Sequence, residues 1–268
     1  MTPENSCEEG RYLYCIINSG NEKSFGKVGV EDSVVSVVNF QDIGVVFHSC
    51  TAKPYQTSAK EKVEEWILAH QYVIDVATEA YGTVVPLTFD TIFKGNDGTL
   101  KEWLSKEYVQ LKTLLAKLEG KAEYGVQIFI EKDQIEKTLN KNLEIQSLKN
   151  KLDKASSGTA YLLNKKIEKE IQLEKQLVID RYAQDLYVQI ENLVDEIKLY
   201  STNKAVPDKW QDKQMILNIT CLTPKQKIEN LGNTLGHFKN EGFVVRFTGP
   251  WPPYSFAGQI NESKMGNW

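Results

Sequence analysis

The sequence predicts an α+β fold in two domains: a ferredoxin-like N-terminal domain, then a domain of long, coiled-coil-like helices with a small βαβ ferredoxin-like sheet. Three observations carry this reading. Four short β-branched runs come before any helical pattern. Strands and helices then mix without a succession of strict βαβ units. Beyond Asp133 a narrow apolar seam runs through a highly charged stretch before strand character returns.

Residues 12–18 are a short apolar run rich in Tyr and Ile, broken by Ser19-Gly20-Asn21. Runs 25–30, 34–40 and 43–49 follow, dominated by β-branched residues and punctuated by Gly, Asp and Asn. Gln41-Asp42 fits a hairpin turn between the last two. Ser58-x-x-Glu61 has the form of a capping box. Val63, Trp66, Ile67, His70, Val73, Ile74 and Ala77 then fall on one helical face, suited to covering a sheet, and Gly82 closes it. Residues 84–93 read as a strand, in which Pro86 points to an edge position or a bulge. Thr99-x-x-Glu102 repeats the capping pattern. It opens a helix with Leu100, Trp103, Leu104, Leu111, Leu114, Leu115 and Leu118 on its stripe, and Gly120 at its end.

Residues 124–130 return to strand character and can be assigned to either domain. Ile135, Leu139, Ile145, Leu148 and Leu152 then keep a narrow seam, interrupted at Ser156-Ser157-Gly158. From Leu163 through Ile197 to Tyr200 the seam continues at steps of three, four or seven, a length of about 60 Å if the helix is unbroken. A polar connection at 201–212 contains Pro207. A strand at 215–221 leads to a helix with Pro224 in its first turn and Ile228, Leu231, Leu235 and Phe238 on its buried face. Gly242 closes that helix, and 243–247 is the last strand. The predicted domains are 1–128 and 129–256, followed by a polar tail, 257–268, expected to be poorly ordered.

The chain has 268 residues and a formal net charge of -4, with basic and acidic residues interleaved throughout. No basic block marks a nucleic-acid or anionic-membrane partner. Residues 1–10 lack an apolar signal segment, and runs such as 34–38 are too short to span a bilayer, so a cytoplasmic location is expected. Cys7, Cys15, Cys50 and Cys221 form no C-x-x-C pair and are expected as reduced thiols. The chain has no phosphate-binding glycine loop, H-E-x-x-H or G-x-S-x-G pattern, so no catalytic, cofactor or metal residue is predicted. His70 lies on an apolar stripe and is expected as a core histidine with a hydrogen-bond partner. His48 and His237 have no sequence context.

The most unusual segment is Gly249-Pro250-Trp251-Pro252-Pro253-Tyr254-Ser255-Phe256. Three prolines fix torsions and remove three N–H donors, so the preceding strand is expected to end there. Trp251, Tyr254 and Phe256 are held at low entropic cost, either as an anchor for a partner or, the favoured reading, as an internal clasp on the long helices or the other domain.

The block from Phe247 to Phe256 resembles the closing signature of the gas vesicle F/L protein family. Tyr12-Leu13-Tyr14 is similar to that family's opening strand. Ala69-His70-Gln71-Tyr72-Val73, followed by Val84-Val85-Pro86-Leu87-Thr88-Phe89, is similar to its helix-then-"VPLRFG" block. Gly120-Lys121-Ala122-Glu123-Tyr124-Gly125-Val126 and Ser157-Gly158-Thr159-Ala160-Tyr161-Leu162-Leu163 match two further pieces in order. Asp90 stands where the family usually has Gly, Thr88 where Arg is common, and Ser157 where Pro is usual. The resemblance implies a non-catalytic accessory protein of gas vesicle formation, located at the gas vesicle. It would bind the small apolar shell-forming protein and other accessory proteins. The N-terminal sheet is the expected docking surface, with the Pro86 strand as candidate edge and Phe89 beside it. The rival readings are a self-associating coiled-coil scaffold, and an enzyme on ferredoxin-like domains that joins His70 to a carboxylate or Cys50.

Overall fold

Strand runs apolar on both faces must be covered on both faces, and this requirement shapes the first part of the molecule. The computed structural model describes residues 8–19, 23–202 and 210–258. Cys7, Pro207 and the tail beyond Gly258 lie outside the described residues. The chain divides into two compact units. One runs through Glu123 and takes in the chain again from Pro250; the other is Tyr124–Gly249.

In the first unit, strands β1 (Glu9–Ile17), β2 (Ser24–Lys27), β3 (Val34–Phe40) and β4 (Ile43–Thr51) precede helix α1 (Lys60–Tyr81). Two short strands, β5 (Val84–Pro86) and β6 (Ile92–Lys94), and helix α2 (Asp97–Leu118) follow. The sheet order is β2-β3-β4-β1-β5, with β6 also paired to β1. Every residue of β1 after Glu9 is buried. Tyr12, Tyr14, Cys15 and Ile17 share a cluster with Trp66, Val73, Ile74 and Ala77 of α1. A bulge between Leu13 and Cys15 lets residues 14 and 15 both reach that side. Helix α2 packs on β1, β3, β4 and β5, bringing Trp103 to Phe93 and Tyr108 to Phe40. This sandwich corrects the ferredoxin-like expectation for the N-terminal part, because β1 carries apolar side chains to both faces and each needs a helix.

Other local expectations are also corrected. Neither capping box forms. The α1 N-cap is Ala59, without a side-chain bond. The α2 N-cap is Asn96, whose Oδ1 accepts from the Thr99 N–H at 3.1 Å. The single strand expected over 84–93 is two strands separated by a turn. Pro86 does stand at the sheet edge, on β5, yet all three β5 residues are buried. Little of that strand is exposed. The open edge is β2, four residues long and irregular at Gly26 (φ 79°), the kind of short, bulged edge that resists strand addition.

The second unit contains strand β7 (Lys121–Glu131), which starts at the end of the first unit, then helices α3 (Lys132–Leu139), α4 (Leu143–Leu152) and α5 (Ser157–Glu191). Strands β8 (Glu196–Leu199) and β9 (Lys213–Pro224), helix α6 (Ile228–Asn240) and strand β10 (Val244–Trp251) complete it. The sheet order β10-β7-β9-β8 is that of a βαββαβ ferredoxin-like sheet with three helices in its first crossover. Val126, Ile128 and Ile130 of β7 and Leu217, Ile219 and Cys221 of β9 form its core with Leu186, Ile190, Leu231, Leu235 and Phe238 from the helices.

Instead of two long helices there are three, of which only α5 is long, at 35 residues. The first seam breaks where Asn142 caps α4, accepting from the N–H groups of Glu144 and Ile145. Helix α5 ends at Glu191, short of Tyr200, because residues 196–199 pair with β9. At the other end of the unit, β10 continues through Pro250 to Trp251. A proline is tolerated there because β10 is an edge strand.

Candidate functional site

Tyr12 and Tyr14 alternate along β1 and so project to the same side. Tyr12 is in register with His48 on β4, and their rings stack at 4.9 Å. The α1 face brings His70 to the same place, its ring edge-on to Tyr12 at 5.6 Å. Tyr55, from the segment after β4, and the turn between β5 and β6 close the cluster.

Every polar atom of the two imidazoles has a partner. His70 Nε2 lies 3.1 Å from the carbonyl oxygen of Leu87. A carbonyl only accepts, so Nε2 carries the proton. Nδ1 is then an acceptor, and it receives the Tyr12 hydroxyl at 2.9 Å. The Tyr12 oxygen accepts in turn from the Asp90 N–H at 3.1 Å. His48 bonds the Tyr14 hydroxyl through Nδ1 at 2.8 Å and the Tyr55 hydroxyl through Nε2 at 3.0 Å. The Tyr14 oxygen also accepts the Val30 N–H.

Burial governs the electrostatics. Both histidines are pushed down to about 4 by burial, with the neighbouring His70 adding to the effect on His48. The tyrosine hydroxyls of Tyr12, Tyr14 and Tyr55 are pushed well above their ordinary value by the same cause. The Cys50 thiol is pushed up to about 11 by burial, so at neutral pH it is not a thiolate nucleophile. The cluster is therefore neutral and fully hydrogen-bonded at neutral pH. His70, 3% exposed, ties α1 to β1 and to the following turn, with no ring nitrogen turned to solvent.

The turn itself explains one departure seen in the sequence. Asp90 has φ 67°, a left-handed conformation that glycine adopts freely. The aspartate uses its side chain there: Oδ1 accepts the Tyr55 N–H at 3.1 Å. Replacing Asp90 with Gly relieves roughly 1 kcal/mol of strain and gives up a bond of similar worth, so stability should move by less than about 1 kcal/mol. Asp90→Ala keeps the strain and loses the bond, and should cost about 1–2 kcal/mol. Urea midpoints of the two variants would contradict this if the Ala chain matched the Gly chain.

The remaining candidates fall as follows. Phe89 sets its ring edge against Tyr12 and His70, at 6.1 and 5.9 Å. Pro86 lies beside Cys15 in the sheet. Tyr254 packs on the cluster's apolar surround and donates its hydroxyl to Gln71 Oε1 at 2.9 Å. Phe256 is buried, while Trp251 is half exposed. Glu123, itself buried, receives both the N–H and the hydroxyl of Ser255, at 2.7 and 2.6 Å. Sequence reading singled out His70 and Phe89 but did not connect them with Tyr12, Tyr14, His48 and Tyr55, nor Ser255 with Glu123. Cross-strand register would have linked Tyr12 to His48. Nothing local ties Glu123 to Ser255.

Open cavities lie elsewhere. One of about 510 Å³ borders Lys23, Phe47, Asp97 and Lys101, where Asp97 already pairs with the buried Arg11. Another, about 240 Å³, lies on the polar sheet face between Gln127, Asn218 and Arg246. Among the described residues, no group of three or more His, Cys, Asp or Glu is placed to hold a metal ion, and none of Cys15, Cys50 and Cys221 is in a disulfide.

A family model described as "Gas vesicle synthesis protein GvpL/GvpF" matches residues 10–258. Gas vesicle protein L1 of Halobacterium salinarum is 31% identical over 265 residues, covering 97% of this chain and 94% of that protein. Gas vesicle protein F of a Nostoc species is 21% identical over 257 residues, with 92% and 98% covered. The crystal structure of GvpF from an Anabaena species superposes with a TM-score of 0.68 at 22% identity, covering 94% of this chain and 99% of that one. The structural match speaks for the fold, and the two sequence matches cover 97 and 92% of the chain.

Proposed function

The chain belongs to the GvpL/GvpF family of gas vesicle synthesis proteins, and from that premise we propose that it is a non-catalytic assembly protein that binds the small apolar shell-forming subunit. Membership implies a role in gas vesicle formation. The finer reading follows from solubility. A wall subunit with one face toward gas carries apolar surface that aggregates in water unless something covers it.

The observation that carries the proposal is on α1. Leu68 and Tyr72 stand one turn apart on its outer face, exposed by 68 and 55%, and Ile67, expected on the buried stripe, is 47% exposed at that stripe's margin. They make an apolar contact surface on a helix rigidly held by the His70 bonds. A sheet edge is less suited: β5 is buried and β2 is short and irregular. The sealed cluster likewise favours binding over catalysis, since a general base has to reach its substrate's proton and both His70 nitrogens are engaged. No helix among the described residues is long and apolar enough to cross a membrane. The place of action is therefore taken to be the vesicle and its assembling wall, with other accessory proteins as further partners.

Co-expression of the full chain with the shell-forming subunit tests this. The wild type should retain the subunit on affinity capture, and the Leu68→Asp, Tyr72→Asp double variant should retain at least tenfold less, with thermal stability unchanged because both positions are exposed. Undiminished capture by the double variant, or none by the wild type, would reject the proposed surface.

A further inference from the structure

Helix α5 has one face with a partner and one without. Ile167, Val178, Leu186 and Ile190 are buried, Ile171, Ile179 and Tyr182 pack on the same core, and α3, α4 and α6 lie against the helix. The outer face carries Leu162, Leu173, Leu177 and Val188, exposed by 68, 51, 56 and 43%. At 100° per residue the four fall within an arc of about 80°, along roughly 40 Å of helix.

The stripe reads alike in both directions, with sequence steps of eleven, four and eleven. A two-fold axis crossing it midway between Leu173 and Leu177 sets Leu162 of one copy against Val188 of the other, and Leu173 against Leu177. The charges obey the same symmetry. Lys169-Glu170 and Asp180-Arg181 lie equally far from that axis, with their signs reversed. Lys169 and Asp180 share one flank of the stripe; Glu170 and Arg181 share the other. In an antiparallel helix pair like flanks meet, so Lys169 faces Asp180 of the other copy and Glu170 faces Arg181, each twice. Asp180 already accepts from Gln176 at 2.8 Å, and a carboxylate takes further donors. A parallel pair would set Lys169 against Glu170 and Asp180 against Arg181, so a paired charge swap at 169 and 180, which restores only the antiparallel contacts, separates the two orientations.

We propose that a second copy of this chain docks antiparallel along the outer face of α5, making a self-complementary dimer centred between Leu173 and Leu177. Lys166 and Gln184 fill the two central positions of the stripe that are not apolar. They limit the contact to a reversible one, with a dissociation constant on the order of 1–100 µM.

Sedimentation equilibrium of the purified full chain, with no other protein present, should show a monomer–dimer equilibrium in that range. Leu173→Asp with Leu177→Asp should weaken it at least tenfold without lowering the melting temperature, since both side chains are exposed. Lys169→Glu alone should weaken it, and Lys169→Glu combined with Asp180→Lys should restore it, a rescue that mere surface tolerance does not produce. A chain monomeric throughout, a dimer indifferent to the leucine variants, or a charge swap without rescue would each overturn the proposal. Because no shell subunit is used, failure here leaves the α1 docking surface untouched.

Discussion

Lowering the pH from 6.5 to 4 is expected to remove several kcal/mol from the stability of the N-terminal unit, through His48 and His70. Both imidazoles are neutral in the folded chain, with pKa values pushed down to about 4 from an ordinary 6.5. In the unfolded chain each binds a proton as the pH falls through 6.5, while the folded chain does not. The unfolded state therefore holds more protons throughout that window, and stability falls with pH. The contribution is complete above pH 6.5, is lost progressively down to pH 4, and then levels off as the folded histidines protonate. The size is on the order of 3 kcal/mol for each histidine, against a total of roughly 5–15 kcal/mol for an ordinary domain.

The structural reason is specific. A proton on His70 Nδ1 would confront a Tyr12 hydroxyl that now donates to it, and the Tyr12 oxygen is already engaged by the Asp90 N–H. Carboxylates do not mimic the effect. Asp42, held down by its bond to Lys112, loses its partner only below the ordinary carboxylate value of 3.8. Asp90, pushed up by burial, acts with the opposite sign. Urea denaturation at several pH values checks this. The His48→Gln, His70→Gln chain should start less stable at pH 7.5 and lose less than half as much between pH 6.5 and 4. Parallel losses in the two chains would remove the histidines as the cause.

How far the sequence could lead to this cluster depends on the range of each interaction. The β3–β4 hairpin was legible because β-branched alternation and the two-residue turn Gln41-Asp42 are local signals. His70 was legible as a core position because it sits on a helical stripe. Its partner Tyr12 is 58 positions away, and nothing in either neighbourhood announces the other. The capping boxes misled because Ser-x-x-Glu is a frequent coincidence. At α2 the real cap, Asn96, lies three residues upstream of the Thr chosen. The overlong helix arose because Leu193, Ile197 and Tyr200 satisfy the helical period, while pairing with β9 decides the outcome. Asp90 in place of a usual glycine was visible in the sequence, but the turn it occupies was not, since 84–93 reads there as one strand. Only the positive φ and the bond to Tyr55 show why aspartate can hold it.

The largest mutational effect is expected from the far end of the chain. Ending the protein after Gly249 should unfold or severely destabilise the N-terminal unit, although it removes no residue of β1–β6, α1 or α2. The chain from Pro250 belongs to that unit, and Phe256 and Ala257 are buried, 2 and 5% exposed. Phe256→Ala alone should cost about 3–5 kcal/mol, the usual range for emptying a buried aromatic site. Glu123 adds to this. A buried carboxylate that loses the N–H and hydroxyl of Ser255 has no water to replace them, which costs about 1–3 kcal/mol. Because Glu123 and Ser255 act as one interaction, Glu123→Ala and Ser255→Ala should not add: a double-mutant cycle should return a coupling of at least about 1 kcal/mol. Trp251→Ala, at a half-exposed position of the same segment, should stay within about 1 kcal/mol. The contrast between Phe256 and Trp251 separates a clasp from a merely proline-stiffened tail, since stiffness would make both aromatics equally dispensable. A truncated chain with an unchanged urea midpoint would show that the first unit closes without its C-terminal segment.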